Sequence, residues 1–236
     1  MSTPHIACEM GDIAERVILP GDPLRAERIA KDYLTDVTCV SKVRGNGIYT
    51  GKWQGEPISV MASGMGIPTT HLYATELFRF FGVKRICRVG TAGGIAKSVK
   101  VKDVIIASSA HTNSRIAEIQ VPDVTVSLTA SFDMLSAAVA KAKEADFRFH
   151  VGPVYSSDYF YLNRPDITEA LAKIGTLGVE MESAALFGVA AIEGTEALTV
   201  LTVSDHLFDG SGDLTADERE TIFQNALEVG VAALFA

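Results

Sequence analysis

Three arginines in this 236-residue sequence lie beside glycines, at points where strands are expected to end. Arg25 follows a Gly-Asp-Pro turn, Arg44 directly precedes a glycine, and Arg88 lies two residues before another. Glycine lets an anion approach backbone N–H groups, and a guanidinium offers two parallel donors to the oxygens of that anion. Taken singly, each arginine is ordinarily a surface residue and each glycine a turn former. The three together indicate a binding site for an oxyanion.

Two carboxylates, Glu180 and Glu182, stand between an apolar Leu-Gly-Val segment and a nearly all-apolar stretch. A buried carboxylate is costly unless its charge is compensated, so a binding partner should face this pair. The alternative is that both lie in the first turn of a helix, where the helix dipole favours negative charge. Both interpretations stay open at this point.

The polar triplet Ser204-Asp205-His206 directly follows residues 198–203, the most strand-like apolar run in the chain. Ligands of α/β sheets bind at the carboxyl ends of strands, so the triplet is a candidate for chemistry. The alternative is a simple helix N-cap or Asx turn. Arg219 lies in the first turn of the last expected helix, where the helix dipole disfavours a cation. Helix energetics alone therefore do not explain Arg219.

The elements that must position these residues alternate between strands and helices along the chain. The expected strands are residues 16–19, 47–53, 57–62, 85–89, 104–107, 151–155 and 198–203, and the expected helices are 24–33, 68–81, 131–145, 181–192 and 215 to the C-terminus. Residues 90–94 are expected to form a small-residue loop, and Thr215 with Glu218 matches a capping box. This alternation predicts one α/β domain, residues 1–236, with a largely parallel or mixed sheet.

Composition excludes several classes of protein. With 47% hydrophobic and 21% charged residues, the chain is expected to fold as a globular domain rather than to stay disordered. A net charge of −8 argues against nucleic acid as a partner, because a binding face needs excess lysine and arginine. No basic and apolar leader opens the sequence, and the apolar run 184–192 is far shorter than the roughly 20 residues of a membrane span. We therefore expect a cytoplasmic protein without membrane association.

Cysteine and histidine spacing gives no sign of a metal site. The three cysteines are widely separated and form no C-x-x-C motif, so reduced thiols are expected. The five histidines show no ligand spacing with cysteines or carboxylates, and the glycines of residues 90–94 lack the G-x-G-x-x-G pattern of dinucleotide sites. We expect neither a metal nor a cofactor.

Several motifs then occur in order along nearly the whole chain. They are Thr3-Pro4-His5-Ile6, Leu19-Pro20-Gly21-Asp22-Pro23-Leu24-Arg25-Ala26, Val43-Arg44-Gly45, Gly64-Met65-Gly66-Ile67-Pro68, Arg88-Val89-Gly90, Val179-Glu180-Met181-Glu182, Thr202-Val203-Ser204-Asp205-His206 and Glu218-Arg219. This collinear set resembles the hexameric type of purine nucleoside phosphorylase, within the nucleoside phosphorylase superfamily. The resemblance implies a three-layer α/β sandwich with a mixed, barrel-like central sheet flanked by helices. It also implies a homo-oligomer, a hexamer built as a trimer of dimers.

The resemblance implies an activity and a set of site residues. The activity is the reversible phosphorolysis of purine (deoxy)ribonucleosides to free base and (deoxy)ribose 1-phosphate in purine salvage, with inorganic phosphate as co-substrate. The implied phosphate ligands are Gly21, Arg25, Arg88 and Thr91, with Arg44 from a neighbouring subunit. The implied ribose ligands are Met65, Met181 and Glu182, with His5 from the neighbour. The implied base ligands are Ala92, Gly93, Phe160, Val179, Glu180, Ser204 and Asp205.

The implied catalytic pair is Asp205, which would protonate N7 of the purine, and Arg219, which would assist it. Few free carboxyl groups carry a proton at neutral pH, but burial at the end of a core strand favours the protonated form. A permanently adjacent guanidinium would favour the ionised form instead. We therefore expect Arg219 to approach only as the last helix closes over the substrate.

The sequence departs from the commonest pattern of the family at two places. Residues 90–93 read Gly-Thr-Ala-Gly, where Ser-Cys-Gly more usually follows the first glycine. Thr91 keeps the hydroxyl that a phosphate needs, whereas the missing cysteine changes a wall of the base pocket. The segment 207–214, which joins Asp205 to Arg219, is one residue longer than the usual form.

Three alternative functions remain. A uridine phosphorylase would carry a Gln-x-Arg pair after the position of Phe160, where this chain has Tyr161-Leu162-Asn163-Arg164. A hydrolytic nucleosidase would have no use for three phosphate-binding arginines. A nucleoside-binding protein without turnover would not need both Asp205 and Arg219.

Overall fold

The computed structural model describes residues 2–161, 164–210 and 212–236. The elements in chain order are β1 (Arg16–Ile18), α1 (Pro23–Tyr33), β2 (Thr35–Ser41), β3 (Ile48–Trp53), β4 (Glu56–Met61), α2 (Ile67–Phe81), β5 (Arg85–Gly94), β6 (Val104–Thr112), α3 (Ile116–Gln120), α4 (Phe132–Glu144), β7 (Phe149–Ser156), α5 (Pro165–Lys173), β8 (Gly178–Glu180), α6 (Ser183–Glu193), β9 (Glu196–His206), α7 (Ala216–Thr221) and α8 (Gln224–Leu234). A single 3-10 turn, Val43–Gly45, lies between β2 and β3.

The strands form one mixed sheet in the order β2-β3-β4-β1-β5-β8-β7-β6-β9. Because β5 also pairs with β9, the strands β5, β8, β7, β6 and β9 close into a ring. The remaining four strands extend from this ring at β5. The predicted mixed, barrel-like sheet is confirmed, and β5 is its central strand.

Helices cover both faces of the sheet. On one face α2 and α6 enclose a core that includes Leu77, Phe81 and Phe187. On the other face α1, α4 and α8 bury a second core that includes Ile29 and Met134. The two separate cores confirm the predicted three-layer sandwich, because each needs its own layer of helices.

Local signals in the sequence placed many element ends correctly. Pro23 occupies the first turn of α1, and the Asp22 carboxylate accepts the Leu24 N–H at 2.8 Å as an N-cap. Gly82 ends α2 in the left-handed conformation that favours glycine. The predicted hairpin at Gln54-Gly55 joins β3 to β4, and both turn residues have positive φ.

Two expectations about strand ends are wrong. Residues 90–94, expected as a loop, are the second half of β5, and Ser204-Asp205-His206 form the end of β9 rather than a turn beyond it. The ladder between β5 and β9 continues to Gly94 opposite His206, so the small residues do not interrupt it. The N-cap and Asx-turn interpretation of the triplet is therefore wrong, and both segments belong to the sheet.

The last helix begins at the predicted capping box, in which Thr215 and Glu218 exchange hydrogen bonds, but it does not run unbroken to the C-terminus. It divides into α7 and α8, and Phe223 at the break is buried with its ring 6.2 Å from that of Tyr33. Burial of this ring turns the chain inward between the two helices.

Four elements were missed, namely β2, β8, α3 and α5. β2 is an edge strand that is exposed along most of its length, and β8 has only three residues, so neither shows a readable period. Because Glu180 ends β8, α6 begins at Ser183 rather than at the expected Met181.

Within the described part of the chain, no helix combines the length and apolarity needed to cross a membrane. The same residues contain no group of three or more histidine, cysteine or acidic side chains arranged to hold a metal ion. Cys8, Cys39 and Cys87 are free thiols.

Candidate active site

Many of the predicted site residues gather at one edge of the sheet. Strands β4, β1, β5 and β9 run parallel to one another, so their carboxyl ends lie together. Gly21 and Arg25 follow β1, Met65 follows β4, residues 91–93 end β5, and Asp205 is near the end of β9. Parallel α/β sheets bind ligands at this edge, so the fold brings these residues to the expected place.

A buried charge cluster lies at this edge. The Arg88 side chain donates from Nη2 to the Glu182 carboxylate, and its Nε lies 3.7 Å from Oε2 of Glu180. Burial alone would lower the pKa of Arg88, but the charges of Glu182 and Glu180 raise it above its usual value. One guanidinium therefore stays charged between two carboxylates.

Gly90 makes room for this guanidinium. A Cβ atom at Gly90 would lie 1.9 Å from Nη1 of Arg88, so any side chain there would displace the arginine. Nη1 is buried and has no hydrogen-bond partner in the described part of the chain. The pairing of arginine with glycine in the sequence thus has a steric cause, and it leaves a donor for an oxyanion.

Glu182 ties the start of α2 to the cluster. Its carboxylate accepts N–H bonds from Gly66 at 2.7 Å and from Met181 at 3.1 Å. Gly64 and Gly66 both have positive φ, which only glycine adopts readily, and they hold Met65 between them with 83% of its surface exposed. The loop before α2 is therefore shaped around the Glu182 carboxylate.

Glu180 forms hydrogen bonds that fix the start of α6. Its carboxylate accepts a hydrogen bond from the Ser156 hydroxyl. It also accepts the backbone N–H groups of Glu182 and Ser183, both at 2.9 Å. The interpretation that both carboxylates lie in the first turn of a helix is wrong, because Glu180 ends β8 and Glu182 is the N-cap residue of α6. Glu180 nevertheless accepts N–H groups at the start of α6, and Glu182 is compensated by Arg88. Burial, followed by repulsion from Glu182, raises the pKa of Glu180.

A bulge aims Asp205. The ladder pairs Ala92 with Val203 and Gly93 with Asp205, so Ser204 is the extra residue on β9. Bulges re-aim side chains beside active sites. The Ser204 hydroxyl donates to Oδ1 of Asp205 at 2.7 Å, and a Cβ at Gly93 would come within 3.0 Å of Oδ2. Gly93 thus places no side chain beside that oxygen, and the same Cβ position would lie 2.5 Å from Cδ1 of Leu207.

Arg219 lies next to Asp205. Its Nη2 is 3.3 Å from Oδ1 of Asp205, and its Nε donates to the Leu214 carbonyl at 3.1 Å. The expectation that Arg219 approaches only on closure of the last helix does not describe this structure. The capping box of Thr215 and Glu218 fixes the start of α7, which places the guanidinium beside the acid.

Arg25 connects the oxyanion side of the site to α7. It is buried, and its Nη2 donates to the backbone carbonyl of Arg219 at 2.6 Å. Its guanidinium carbon lies 5.7 Å from the centre of the Phe223 ring. Nothing in the sequence signals this link, because the two residues are 194 positions apart.

His5 lies apart from the charge cluster, and Arg44 is exposed. His5 binds Glu76 on α2, and Glu76 is ten residues beyond Gly66, the residue that contacts Glu182. At 1.5 Å per residue this separation is roughly 15 Å along the helix. Arg44 is exposed, has a left-handed φ of 55° and forms no ion pair with the described residues. The structure therefore does not bring His5 to the Glu182 of its own chain.

The remaining predicted base ligands vary in exposure. Ala92 is buried and Val179 is half-buried opposite Gly93 in the β5–β8 ladder. Phe160 is 72% exposed, with its ring 5.0 Å from that of Tyr161. Leu162 and Asn163, which bear on the uridine alternative, and Ser211 in the longer loop lie outside the described residues.

Comparison with known proteins places this geometry in a family. The sequence profile of the phosphorylase superfamily matches residues 15–235. The chain belongs to the phosphorylase superfamily. Among its relatives, the DeoD-type purine nucleoside phosphorylase of Yersinia enterocolitica is 45% identical over 99% of this chain and 97% of its own. That of Proteus mirabilis is 44% identical over 99% and 98%, and that of Clostridium perfringens 45% over 97% of each chain.

In this member of the phosphorylase superfamily, two neighbouring strands carry two kinds of chemistry. β5 supplies a buried cation with one donor, Nη1, and β9 supplies a carboxyl oxygen, Oδ2 of Asp205, and neither atom has a hydrogen-bond partner among the described residues. Such a pair can bind an anion on one side of a bond and protonate a leaving group on the other.

We expect Arg88→Met to destabilise the protein by about 3–5 kcal/mol near pH 7.5, because two buried carboxylates lose their cation. The pKa of Glu180 is raised in the folded state, so its contribution to stability is complete below an unfolded glutamate value of about 4.3 and is lost as the pH rises through the folded value. Without Arg88 the pKa of Glu180 rises further, so the loss of stability caused by Arg88→Met should be smaller at pH 5 than at pH 7.5. Urea unfolding at fixed protein concentration measures it.

Arg79→Met is the control, because the Arg79 side chain is half exposed in its pair with Glu193, whereas Arg88 is buried. It should leave stability nearly unchanged at both pH values. An equal loss of unfolding free energy in Arg88→Met at pH 5 and pH 7.5 would contradict the charge argument. So would a failure of Glu180→Gln to restore stability when it is combined with Arg88→Met.

Proposed function

We propose that this chain catalyses the reversible phosphorolysis of purine (deoxy)ribonucleosides to free purine and (deoxy)ribose 1-phosphate, in purine salvage. The curated relatives named above, each matched over nearly its whole length, support the purine specificity. The observation that carries the proposal is the ion pair of Arg88 with Glu182 beside Asp205 on the neighbouring strand β9, where Asp205 is in contact with Arg219 of α7. Phosphate is the co-substrate, no cofactor takes part, and residues 1–236 act as one domain.

Phosphate binding is assigned to Gly21, Arg25, Arg88 and Thr91. The buried and unpaired Nη1 of Arg88 supports this role, because an anion would satisfy it. Gly21 follows β1 and lies beside the loop before α2, with a Cβ at Gly21 placed 3.5 Å from the Gly64 carbonyl. Breaking the nucleoside C–N bond leaves positive charge on the sugar, so a phosphate held here stabilises the transition state before it bonds to the sugar.

Ribose binding is assigned to Glu182, Met65 and Met181. The Glu182 carboxylate is anchored by Arg88 and two backbone N–H groups, which fixes the direction of its remaining lone pairs. A carboxylate oxygen can accept more than one hydrogen bond, so the 2′- and 3′-hydroxyls are suitable donors. Such anchoring holds the sugar at a set distance from the phosphate.

Asp205 is the general acid toward purine N7. Its Oδ1 already receives the Ser204 hydroxyl and faces Arg219, so the transferable proton belongs on Oδ2. As the proton leaves, negative charge grows on the carboxylate, and Arg219 stabilises that charge at the moment it forms. Arg219 acts here without any closing movement.

The base would lie among Ala92, Gly93, Phe160, Val179 and Ser204, with Glu180 behind them. An aromatic ring as exposed as Phe160 is free to stack on a flat purine. Gly93 on β5 places no side chain next to Oδ2 of Asp205, and a side chain there would meet both that oxygen and Leu207.

The site is completed by a second copy of the chain. The separation of His5 from Glu182 along α2 supports its service to a neighbour's ribose rather than to its own. An exposed Arg44 without an ion pair in the described residues is equally available to a neighbour's phosphate. We propose a homohexamer, a trimer of dimers, that acts in the cytoplasm without nucleic acid or membrane partners.

The alternatives find less support. Arg164, which closely follows Phe160, forms a surface ion pair with Asp166 at 2.7 Å. Its guanidinium is therefore engaged with a neighbouring carboxylate rather than directed to a pyrimidine base. Hydrolysis by water would leave the buried guanidinium of Arg88 without a use. A binding protein without turnover would not need an acid with one oxygen held open.

Base release should depend on inorganic phosphate. In phosphate-free buffer, inosine, guanosine and adenosine should yield negligible free base, and added phosphate should give base and ribose 1-phosphate in equal amounts. Uridine should react far more slowly than the purine nucleosides. Chromatography of bases and sugar phosphates measures both products. Equal rates with and without phosphate would instead establish a nucleosidase.

Asp205→Asn should lower the rate of inosine cleavage by roughly 10²–10⁴-fold, because the general acid is lost. Nucleosides methylated at N7 already carry a positive charge on the base and need no proton, so 7-methylinosine should be cleaved at close to the normal rate. Steady-state rates for the two substrates give the comparison. Equal losses on both would end the assignment of Asp205 as general acid.

Mixed oligomers test the shared site. Arg44→Ala and Asp205→Asn subunits should each be nearly inactive alone, because every site contains one defect. In a random mixture of two-fold dimers, about a quarter of all sites combine two intact contributions. Co-expression with two affinity tags should therefore recover about that share of activity. No recovery in doubly tagged oligomers would show that each chain builds its own site.

A further inference from the structure

The N-terminal segment is fastened to α2 through one carboxylate. Glu76 is nearly buried, and its Oε1 lies 2.7 Å from Nδ1 of His5 while its Oε2 accepts the Thr3 hydroxyl at 2.5 Å. The Thr3 oxygen in turn accepts the Ile6 N–H at 2.9 Å, and Ile6 is fully buried in the core. Both oxygens of Glu76 therefore serve the turn that carries His5.

This contact fixes the hydrogen on the imidazole ring. An ionised carboxylate only accepts hydrogen bonds, so Nδ1 of His5 must carry the hydrogen that Glu76 receives. A neutral imidazole has one N–H, and the bond made by one nitrogen therefore sets the state of the other. Nε2 of a neutral His5 is left as an acceptor.

The ring is also held in orientation. The Tyr73 ring meets His5 edge-on, at 86° and with centroids 6.5 Å apart. Within the described part of the chain, Nε2 forms no hydrogen bond, and about a quarter of the His5 side chain is exposed. Glu76 also lines a 990 Å³ cavity along α2, and the partial exposure of His5 places its ring at the surface of the molecule. An oriented acceptor at the surface suits a hydroxyl donor from outside the chain.

We propose that Glu76 is a positioning residue, which holds His5 as the Nδ1–H tautomer so that Nε2 accepts a hydrogen bond from the 5′-hydroxyl of a nucleoside in the neighbouring subunit's site. This inference rests on the proposed function. It predicts a preference for nucleosides with a free 5′-hydroxyl over their 5′-deoxy analogues. The preference depends on a residue that does not touch the substrate.

Histidine NMR tests the tautomer without any substrate. In protein labelled with ¹⁵N-histidine, His5 should show a protonated Nδ1 and an unprotonated Nε2 at neutral pH, with the signal assigned by its loss in His5→Asn. Glu76→Leu removes the acceptor and should release the ring to the other tautomer. Glu76→Gln keeps an acceptor oxygen and should retain the tautomer of the unchanged protein.

Kinetics then separate positioning from mere structural support. Glu76→Leu should lower kcat/KM for inosine about tenfold, the scale of one hydrogen bond, and leave 5′-deoxyinosine within about twofold. Glu76→Gln should recover most of the loss. Glu193→Leu is the matched control, since Glu193 is similarly covered in its pair with Arg79 and does not touch His5. It should affect both substrates equally and little.

Two results would overturn the inference. One is an Nε2–H or doubly protonated His5 ring in the unchanged protein at neutral pH. The other is an equal loss on inosine and 5′-deoxyinosine in Glu76→Leu, which is the result of general damage. If the unchanged protein cleaves no nucleoside even with phosphate, the proposed function fails, and the NMR result alone decides whether Glu76 sets the tautomer.

Discussion

Two buried carboxylates that share one guanidinium are the constraint around which the site is built. Burying a charge costs several kcal/mol unless it is compensated, and Arg88 alone cannot neutralise both Glu180 and Glu182. The protein meets the deficit with dipoles, because Glu180 receives the start of α6 and Glu182 receives the start of α2. The ends of two helices are thus positioned by the charges that they stabilise.

Closure of the ring of strands gives this cluster its second half. β5 carries Arg88, and its pairing with β9 fixes the distance to Asp205 on the adjacent strand. Sites built on strands are more precise than sites on loops, because the ladder hydrogen bonds determine the register. The bulge at Ser204 then adjusts one side chain without disturbing the pairing on either side. A rigid sheet and one local irregularity together set the geometry between the cation and the acid.

Much of the fold could be predicted because its signals are local. Pro23, Gly82 and the Thr215 capping box each act within a few residues of the element end that they specify. The expectation that residues 90–94 form a loop was wrong for a physical reason. Small residues are typical of turns, but they also occur in a strand where neighbouring side chains crowd the backbone. The break at Phe223 depends on burial against Tyr33, which no local pattern encodes.

The site was predictable in its residue types and less so in its contacts. Arg88 could be singled out because it lies beside a glycine at an expected strand end, Glu182 because a buried charge needs compensation, and Asp205 because it follows a core strand. Which partner each would find could not be read, since Arg88 and Glu182 are 94 positions apart. Glu76 gave no signal at all, because a glutamate within a helix is ordinarily a solvated residue. Its role depends on the arrival of the N-terminal segment from 71 positions away.

The pairing of Asp205 with Arg219 sets two requirements of acid catalysis against each other. A guanidinium beside the carboxyl group makes the acid stronger but reduces the fraction that carries a proton, and the best rate lies between the extremes. The proposed reaction is reversible and adds a further condition, because in the direction of nucleoside synthesis the ionised Asp205 would be the base that recovers the N7 proton. The Ser204 hydroxyl can donate to Oδ1 of either a carboxylic acid or a carboxylate, so this hydrogen bond does not by itself favour one form over the other. The guanidinium of Arg219 lies 3.3 Å from Oδ1, which is longer than the roughly 2.7–2.9 Å of a strong charge-assisted hydrogen bond, so the two side chains are in contact without forming a tight bidentate pair.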